Sequence, residues 1–183
     1  MKLKLNNVRL AFPEIFEAKT VNGEGKPAFS ACFLIDPADP QVKALNQAIE
    51  QVAKDKWGAK ADAILKQMRA QDKVALHDGD LKANYDGFPG NLYVSARAPT
   101  RPLVIDKDKS PLTEQDGKPY AGCFVHSSVE LWAQDNNYGK RINASLRGIQ
   151  FFKDGDAFAG GGAASEDEFD DIAEGATADD DLV

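Results

Sequence analysis

The run from Lys118 to Gly162 alternates apolar and polar positions as two long strands and a tight turn would, and closes on a glycine hinge. Cys123, Val125, Val129 and Leu131 fall on one parity with small Ser127 between them, and Phe124, His126, Ser128, Glu130 and Trp132 fall on the other. Side chains of a strand alternate between faces, so the first set predicts a core face and the second an outward face. Asp135-Asn136-Asn137-Tyr138-Gly139 is turn chemistry, because Asn, Asp and Gly tolerate left-handed backbone. A second strand follows, with Ile142, Ala144 and Leu146 inward and Arg141, Asn143, Ser145 and Arg147 outward. The pattern predicts a long hairpin whose outer face carries rings and arginines.

Upstream, Leu3 and Leu5 alternate with Lys2 and Lys4, which predicts a first strand over residues 2–11 broken at Phe12-Pro13. Residues 21–27 read as a loop. Ala28 to Ile35 is apolar on both parities and reads as a central strand buried on both faces. Asp39-Pro40 opens a helix whose stripe is Val42, Leu45, Ile49, Val52 and Ala53, and Gly58 ends it. A shorter helix carries Ala61, Ile64, Leu65 and Met68. Lys43, Lys54, Lys56 and Lys60 fall off these stripes and read as a solvated face. Residues 91–98 form a strand with Tyr93, Ser95 and Arg97 on one side and Leu92, Val94 and Ala96 on the other. Leu103-Val104-Ile105 is a short strand, and residues 106–118 a long polar loop, mobile or used for binding.

Charge changes the picture. The net charge of −7 argues against a nucleic-acid partner, yet 11 of the 29 acids and none of the 22 bases lie beyond Lys153. Residues 1–153 therefore carry a net +4, followed by an acidic extension. Gly160-Gly161-Gly162 reads as a hinge, and the segment after it has too little apolar surface to offset its ordering entropy, so disorder is expected. The division is a body of residues 1–159 and a hinge with acidic tail, 160–183. No apolar run is long enough for a membrane span, and the first residues alternate rather than form a signal-peptide block, so the cytoplasm of a host cell is expected. Cys32 and Cys123 sit in apolar runs and read as small core residues.

Enzyme-like signals are thin. Gly23-x-Gly25-Lys26 lacks the glycine and the Ser/Thr of a phosphate loop, since Thr20 and Pro27 stand at those positions. Cys123 and His126 have metal-ligand spacing but opposite parity, so no metal and no cofactor is expected. Asp78 and Asp80 are the best candidates for a metal-dependent nuclease, but read more simply as turn aspartates. The fold class that fits is mainly β with inserted helices, an OB-fold-like five-stranded barrel plus a disordered acidic tail.

Several segments carry a resemblance. Ala11-Phe12-Pro13-x-Ile15-Phe16-Glu17-Ala18, Tyr120-x-Gly122-Cys123, residues 139–150 (GKRINASLRGIQ), Asp154-Gly155-x-Ala157-Phe158 and the acidic tail resemble a family of bacteriophage single-stranded DNA-binding proteins. The resemblance implies an OB-fold that coats single strands in phage replication, recombination or repair. It also implies a C-terminus, here Asp179, Asp180, Asp181, Leu182 and Val183, that docks replication or recombination proteins. Related tails often end in Phe, where this chain has Val183. On the body, Trp132, Phe124, Tyr93 and Tyr138 are the expected stacking rings, and Arg97, Arg141, Arg147, Lys140 and Lys118 the expected phosphate contacts. An ordinary solvated sheet face is the competing reading of the same residues, and a DNA-mimicking interaction module the competing function. Monomer and homodimer are both left open.

Overall fold

The two long C-terminal strands pair from Phe124 to Asn136 and from Gly139 to Lys153, with the turn at Asn137-Tyr138 that the sequence predicts. The computed structural model describes residues 1–21, 23–158, 170 and 172. Along them the elements are β1 (Lys2–Val21), β2 (Glu24–Ile35), α1 (Gln41–Trp57), α2 (Ala61–Ala70), β3 (Leu76–Asp78), β4 (Leu92–Ala98), β5 (Leu103–Ile105), β6 (Phe124–Asn136) and β7 (Gly139–Lys153). The glycine hinge and the expected docking residues Asp179 to Val183 lie outside the described residues.

Five strands close a barrel. β1 pairs antiparallel with β2 and with β6, β2 with β4, and β6 with β7. A short parallel contact, Ala96 with Ala144 and Arg97 with Ser145, joins β4 to β7 and closes the circle. This is the OB-fold, with α1 and α2 inserted between its second and third barrel strands. β3 pairs on β4 and β5 on β7, outside the circle.

Burial follows parity. Cys123, Val125, Ser127, Val129 and Leu131 are buried, as are Ile142, Ala144 and Leu146. After Leu146 the inward set shifts to Ile149 and Phe151, because Val129 faces Leu146 while Ser128 faces Gly148. Arg147 is the extra residue of a β-bulge, which flips the parity downstream. Leu45, Ile49 and Val52 of α1 and Leu65 and Met68 of α2 join the same core. The Asp39 carboxylate accepts from the Gln41 amide at 2.9 Å, as expected of a residue opening this helix. Trp57 at the far end donates to Asp135 at 3.0 Å, tying α1 to the β6–β7 turn. That indole, helped by Lys140, holds the Asp135 carboxyl below its usual range.

One expectation about the strands is corrected. β1 does not stop at Phe12-Pro13 but runs on to Val21. Ala11 pairs with Cys32 and Glu14 with Ser30, so one extra residue is absorbed there as a bulge, which lets proline sit in the strand without a ladder bond. Phe12 takes φ +47° in it, a strained choice for an aromatic residue that costs on the order of 1–3 kcal/mol. The 106–118 segment is a folded loop: Leu112 is buried, its amide bonds Val104, and Lys118 closes the loop on Asp106 at 2.9 Å.

His126, on the outer face, accepts from the Asn7 amide at 3.0 Å through Nδ1. Burial, and then nearby Lys4, holds this imidazole below its ordinary range. The unfolded chain therefore takes up this proton at higher pH than the fold does, and stability falls as pH drops through about 6.5. Thermal melts from about pH 7.5 to about pH 5.5 should show a larger Tm loss in the wild type than in His126→Gln. Equal losses would clear His126 of the effect.

Candidate nucleic-acid interface

The outer face of β2 and β4 is a ladder of three pairs: Leu34 with Tyr93, Cys32 with Ser95, and Ser30 with Arg97. One end is roofed. The β3–β4 connection folds over it and inserts Phe88, fully buried, with its ring centroid 5.1 Å from that of Tyr93. Asp78 accepts from the Asp80 amide and Asp80 from the Gly90 amide, so both carboxylates serve this loop as turn acceptors. Among the described residues no group of three or more His, Cys, Asp or Glu is placed to hold a metal ion.

The other end of the ladder is open. Parallel pairing puts Arg97 beside Ser145, and the β6–β7 register puts Trp132 opposite Asn143 and Gln134 opposite Arg141. These strands wall a cleft of about 640 Å³, lined also by Lys26, Pro27 and Ala28 of the β1–β2 hairpin. Trp132 is 44% exposed, and its indole donates to the Ser145 hydroxyl at 3.0 Å, which fixes the ring plane against β7. Lys26, Arg97 and Arg141 line the cleft, and among the described residues no Asp or Glu does. Among the described residues neither Arg97 nor Arg141 is in an ion pair, which leaves both guanidinium forks for a ligand. An OB-fold commonly binds oligonucleotides on its strand 2–3 face and the loops between strands 1 and 2 and strands 4 and 5. Here those are β2–β4, the β1–β2 hairpin and the β6–β7 turn, the borders of this cleft.

The structure brings together Arg97, Trp132 and Arg141 from the predicted set, with Tyr138 (87% exposed) and Lys140 at the turn beyond them. Lys140 lies 3.7 Å from Asp135. Tyr93 is a correction. Its parity is outward as predicted, but the ring is 4% exposed beneath Phe88 and stacked on His77, and burial pushes its hydroxyl up to about 12. It offers no surface for stacking. Arg147 pairs with Glu130 at 3.0 Å and Lys118 with Asp106, so both spend their charge internally. Phe124, at the opposite end of β6 from Trp132, is half-buried between Arg9 and Lys153. Lys26, Gln134 and Asn143 were missed as site residues. Parity alone marks Asn143 as outward, but nothing in the sequence places the β1–β2 hairpin beside β7.

A second cavity, also about 640 Å³, opens on the other side of the β1–β2 hairpin. It is lined by Phe12, Phe16, Tyr85, Tyr120 and Phe158, with Glu14, Asp86 and Glu114 against Lys19 and Lys118. Phe12 is 46% exposed and meets Tyr85 edge-on at 4.9 Å. Lys19 is paired with Glu14 at 3.0 Å. Phe158, on this wall, lies under the Arg9 guanidinium at 4.3 Å.

Comparison with known proteins agrees with this architecture. The structure of the single-stranded DNA-binding protein from bacteriophage Enc34, in complex with ssDNA, superposes with a TM-score of 0.72 at 26% identity, covering 85% of this chain and 88% of that one. The fold is shared with gp2.5, a single-stranded DNA-binding protein encoded by bacteriophage T7, at a TM-score of 0.57 and 12% identity over 93% of this chain and 97% of that one. A protein designated p50, from Acyrthosiphon pisum secondary endosymbiont phage 1, is 51% identical over 176 residues, 94% of this chain and 95% of its own length. The model of the Enterobacter phage Enc34 ssDNA-binding protein family matches residues 1–183, and the chain belongs to that family.

Proposed function

We propose that the chain binds single-stranded DNA in the cleft between the β1–β2 hairpin and the β6–β7 hairpin, coating and protecting strands during phage replication, recombination or repair. The observation that carries this reading is a cleft whose lining, among the described residues, has three cations, no carboxylate and an edge-tethered Trp132. Family membership and the likeness to an Enc34 protein in complex with ssDNA support it. Arg97, Arg141 and Lys26 hold phosphates, and Trp132 stacks on a base, without reading sequence. Tyr138 and Lys140 extend the path at the turn. Phe124, Lys118 and Arg147 are reserve contacts, available only if DNA displaces their internal partners.

The acidic tail acts as a competitor for the same cations and, once displaced, as a dock for a replication or recombination protein through residues 179–183. Nine acids follow Phe158. Twenty-five residues follow Phe158, enough chain length to reach a cleft on this barrel.

Titration of tryptophan fluorescence with poly-dT tests both parts, using the full chain and a chain lacking residues 163–183. Three phosphate contacts should give a log-affinity against log-salt slope of about −2. The shortened chain should bind more tightly, most visibly at low salt. No binding by the shortened chain would overturn the DNA reading; binding equal to or weaker than that of the full chain would remove only the competition.

A further inference from the structure

We propose that the aromatic cavity beside Phe12 takes up an unstacked base of the same DNA strand, one or two nucleotides along from the cationic cleft. The inference rests on the reading of the chain as a single-strand binder and adds a second contact point to it. The first support is the register. Glu14, which lines the cavity, pairs with Ser30, and Ser30 with Arg97, which lines the cleft. Neighbouring strands lie about 4.8 Å apart, so roughly 10 Å of sheet separates the two sites. A single strand crossing the barrel from Arg97 towards β1 reaches the cavity within that span.

The second support is Phe12 itself. A β-bulge and a left-handed backbone hold its ring out of the core, half exposed, with Tyr85 set edge-on beside it. Backbone strain of this kind clusters at ligand clamps, and a ring displayed at such a cost needs a use. Tyr85 is itself 43% exposed, so the pair presents ring surface to the cavity mouth.

The third support is charge. Glu14 and Glu114 line the cavity, and its two lysines are held in ion pairs, Lys19 by Glu14 and Lys118 by Asp106. Such a wall repels phosphate and the acidic tail alike. It suits a neutral flat ring whose N–H edge can donate to a carboxylate. The two sites then divide the nucleotide, with phosphates over Arg97 and Arg141 and a base against Phe12.

The test is a length series of fluorescein-labelled oligo-dT, lengthened one nucleotide at a time, against the full-length wild type, Phe12→Ala and Tyr85→Ala. Tyr85 lies on the loop, so its replacement leaves the β1 bulge intact if Phe12→Ala fails to fold. All three proteins should bind the shortest oligonucleotides alike. The wild type should then gain about tenfold when the strand grows long enough to reach the cavity, and both variants should lose that gain. An abasic residue at the end of the first oligonucleotide to show the gain should abolish it in the wild type and change nothing in the variants. Identical length profiles in all three proteins would overturn the proposal. Uniform weakening at every length would overturn it too, by showing a structural effect. Failure of the wild type to bind any length would instead overturn the single-strand reading on which the pocket depends.

Discussion

Replacing Arg97 and Arg141 together by alanine should lower the affinity for oligo-dT by roughly a hundredfold. Both guanidinium groups line the cleft, and neither is neutralised by a carboxylate among the described residues. Each charge-assisted contact to a phosphate is worth about 1.5–3 kcal/mol, and two losses at the low end of that range give the stated factor. The salt slope should also flatten by about 1.4, since each phosphate contact on a single strand contributes roughly 0.7. The comparison protein is Arg147→Ala, whose guanidinium is held by Glu130 at 3.0 Å and whose removal should change affinity by much less. Trp132→Ala removes one stacking contact and should fall between them, at about tenfold. Anisotropy titrations at two salt concentrations decide it. A double arginine variant that binds as the wild type does, with an unchanged slope, would move the interface off this cleft.

The second large effect concerns folding. Gly122→Ala should destabilise the barrel by about 3 kcal/mol and lower Tm by roughly 6–12 °C. Gly122 has φ +104°, and a Cβ there would lie inside contact distance of the Asp156 carbonyl oxygen. The close approach is reciprocal, since a Cβ on Gly155 would meet the Gly122 oxygen. Backbone against backbone, the segment 154–158 is strapped across the start of β6. The Phe158 amide donates to Ala121 at 3.1 Å, and Arg9 donates to both Gly122 and Asp156. Tyr120 donates to Asp154 at 2.8 Å. Gly117→Ala is the control: it also has positive φ, +70°, but a Cβ there meets nothing within 4 Å. That variant should lose only the conformational preference, about 1 kcal/mol. If calorimetry finds the two variants equally stable, the close approach contributes nothing. The strap matters for function because it sets Phe158 on the wall of the aromatic cavity, the point from which the acidic extension departs.

The inserted helices explain why the cleft is open where it is. α1 and α2 occupy the connection between β2 and β4 and bury their stripes in the barrel core. They leave the outer β2–β4 face uncovered except at the Tyr93 end, where the β3–β4 loop closes it. Ligand space therefore remains at Ser95 and Arg97, beside the parallel seam with β7. The oxygen- and nitrogen-rich outer side chains of β7, Arg141, Asn143 and Ser145, complete the opposite wall.

Periodicity alone determined a good deal of this protein. The alternation of β6 and β7 assigned Cys123, Val125, Val129 and Leu131 to the core and Trp132 and Arg141 to the outside, because a strand offers a side chain only two faces. The spacing of Leu45, Ile49 and Val52 assigned one side of α1 to the core for the same kind of reason at a helical period. The segregation of acids beyond Lys153 was likewise visible without coordinates. What tertiary structure decided was which outward residues stay outward and which ones meet. Parity put Tyr93 and Arg97 on one face, and only the fold of a loop 79–91 that buries Phe88 separates the covered ring from the open guanidinium. A one-residue bulge carried β1 past Pro13 and turned Phe12 to solvent, a shift too local to alter any hydrophobic period. The cleft itself joins residues from β2, β4, β6 and β7 that are more than a hundred positions apart in sequence, Lys26 and Arg141 among them. Local pattern specifies a direction for each side chain; closing the barrel specifies its neighbours, because that depends on register between strands the chain reaches only after folding.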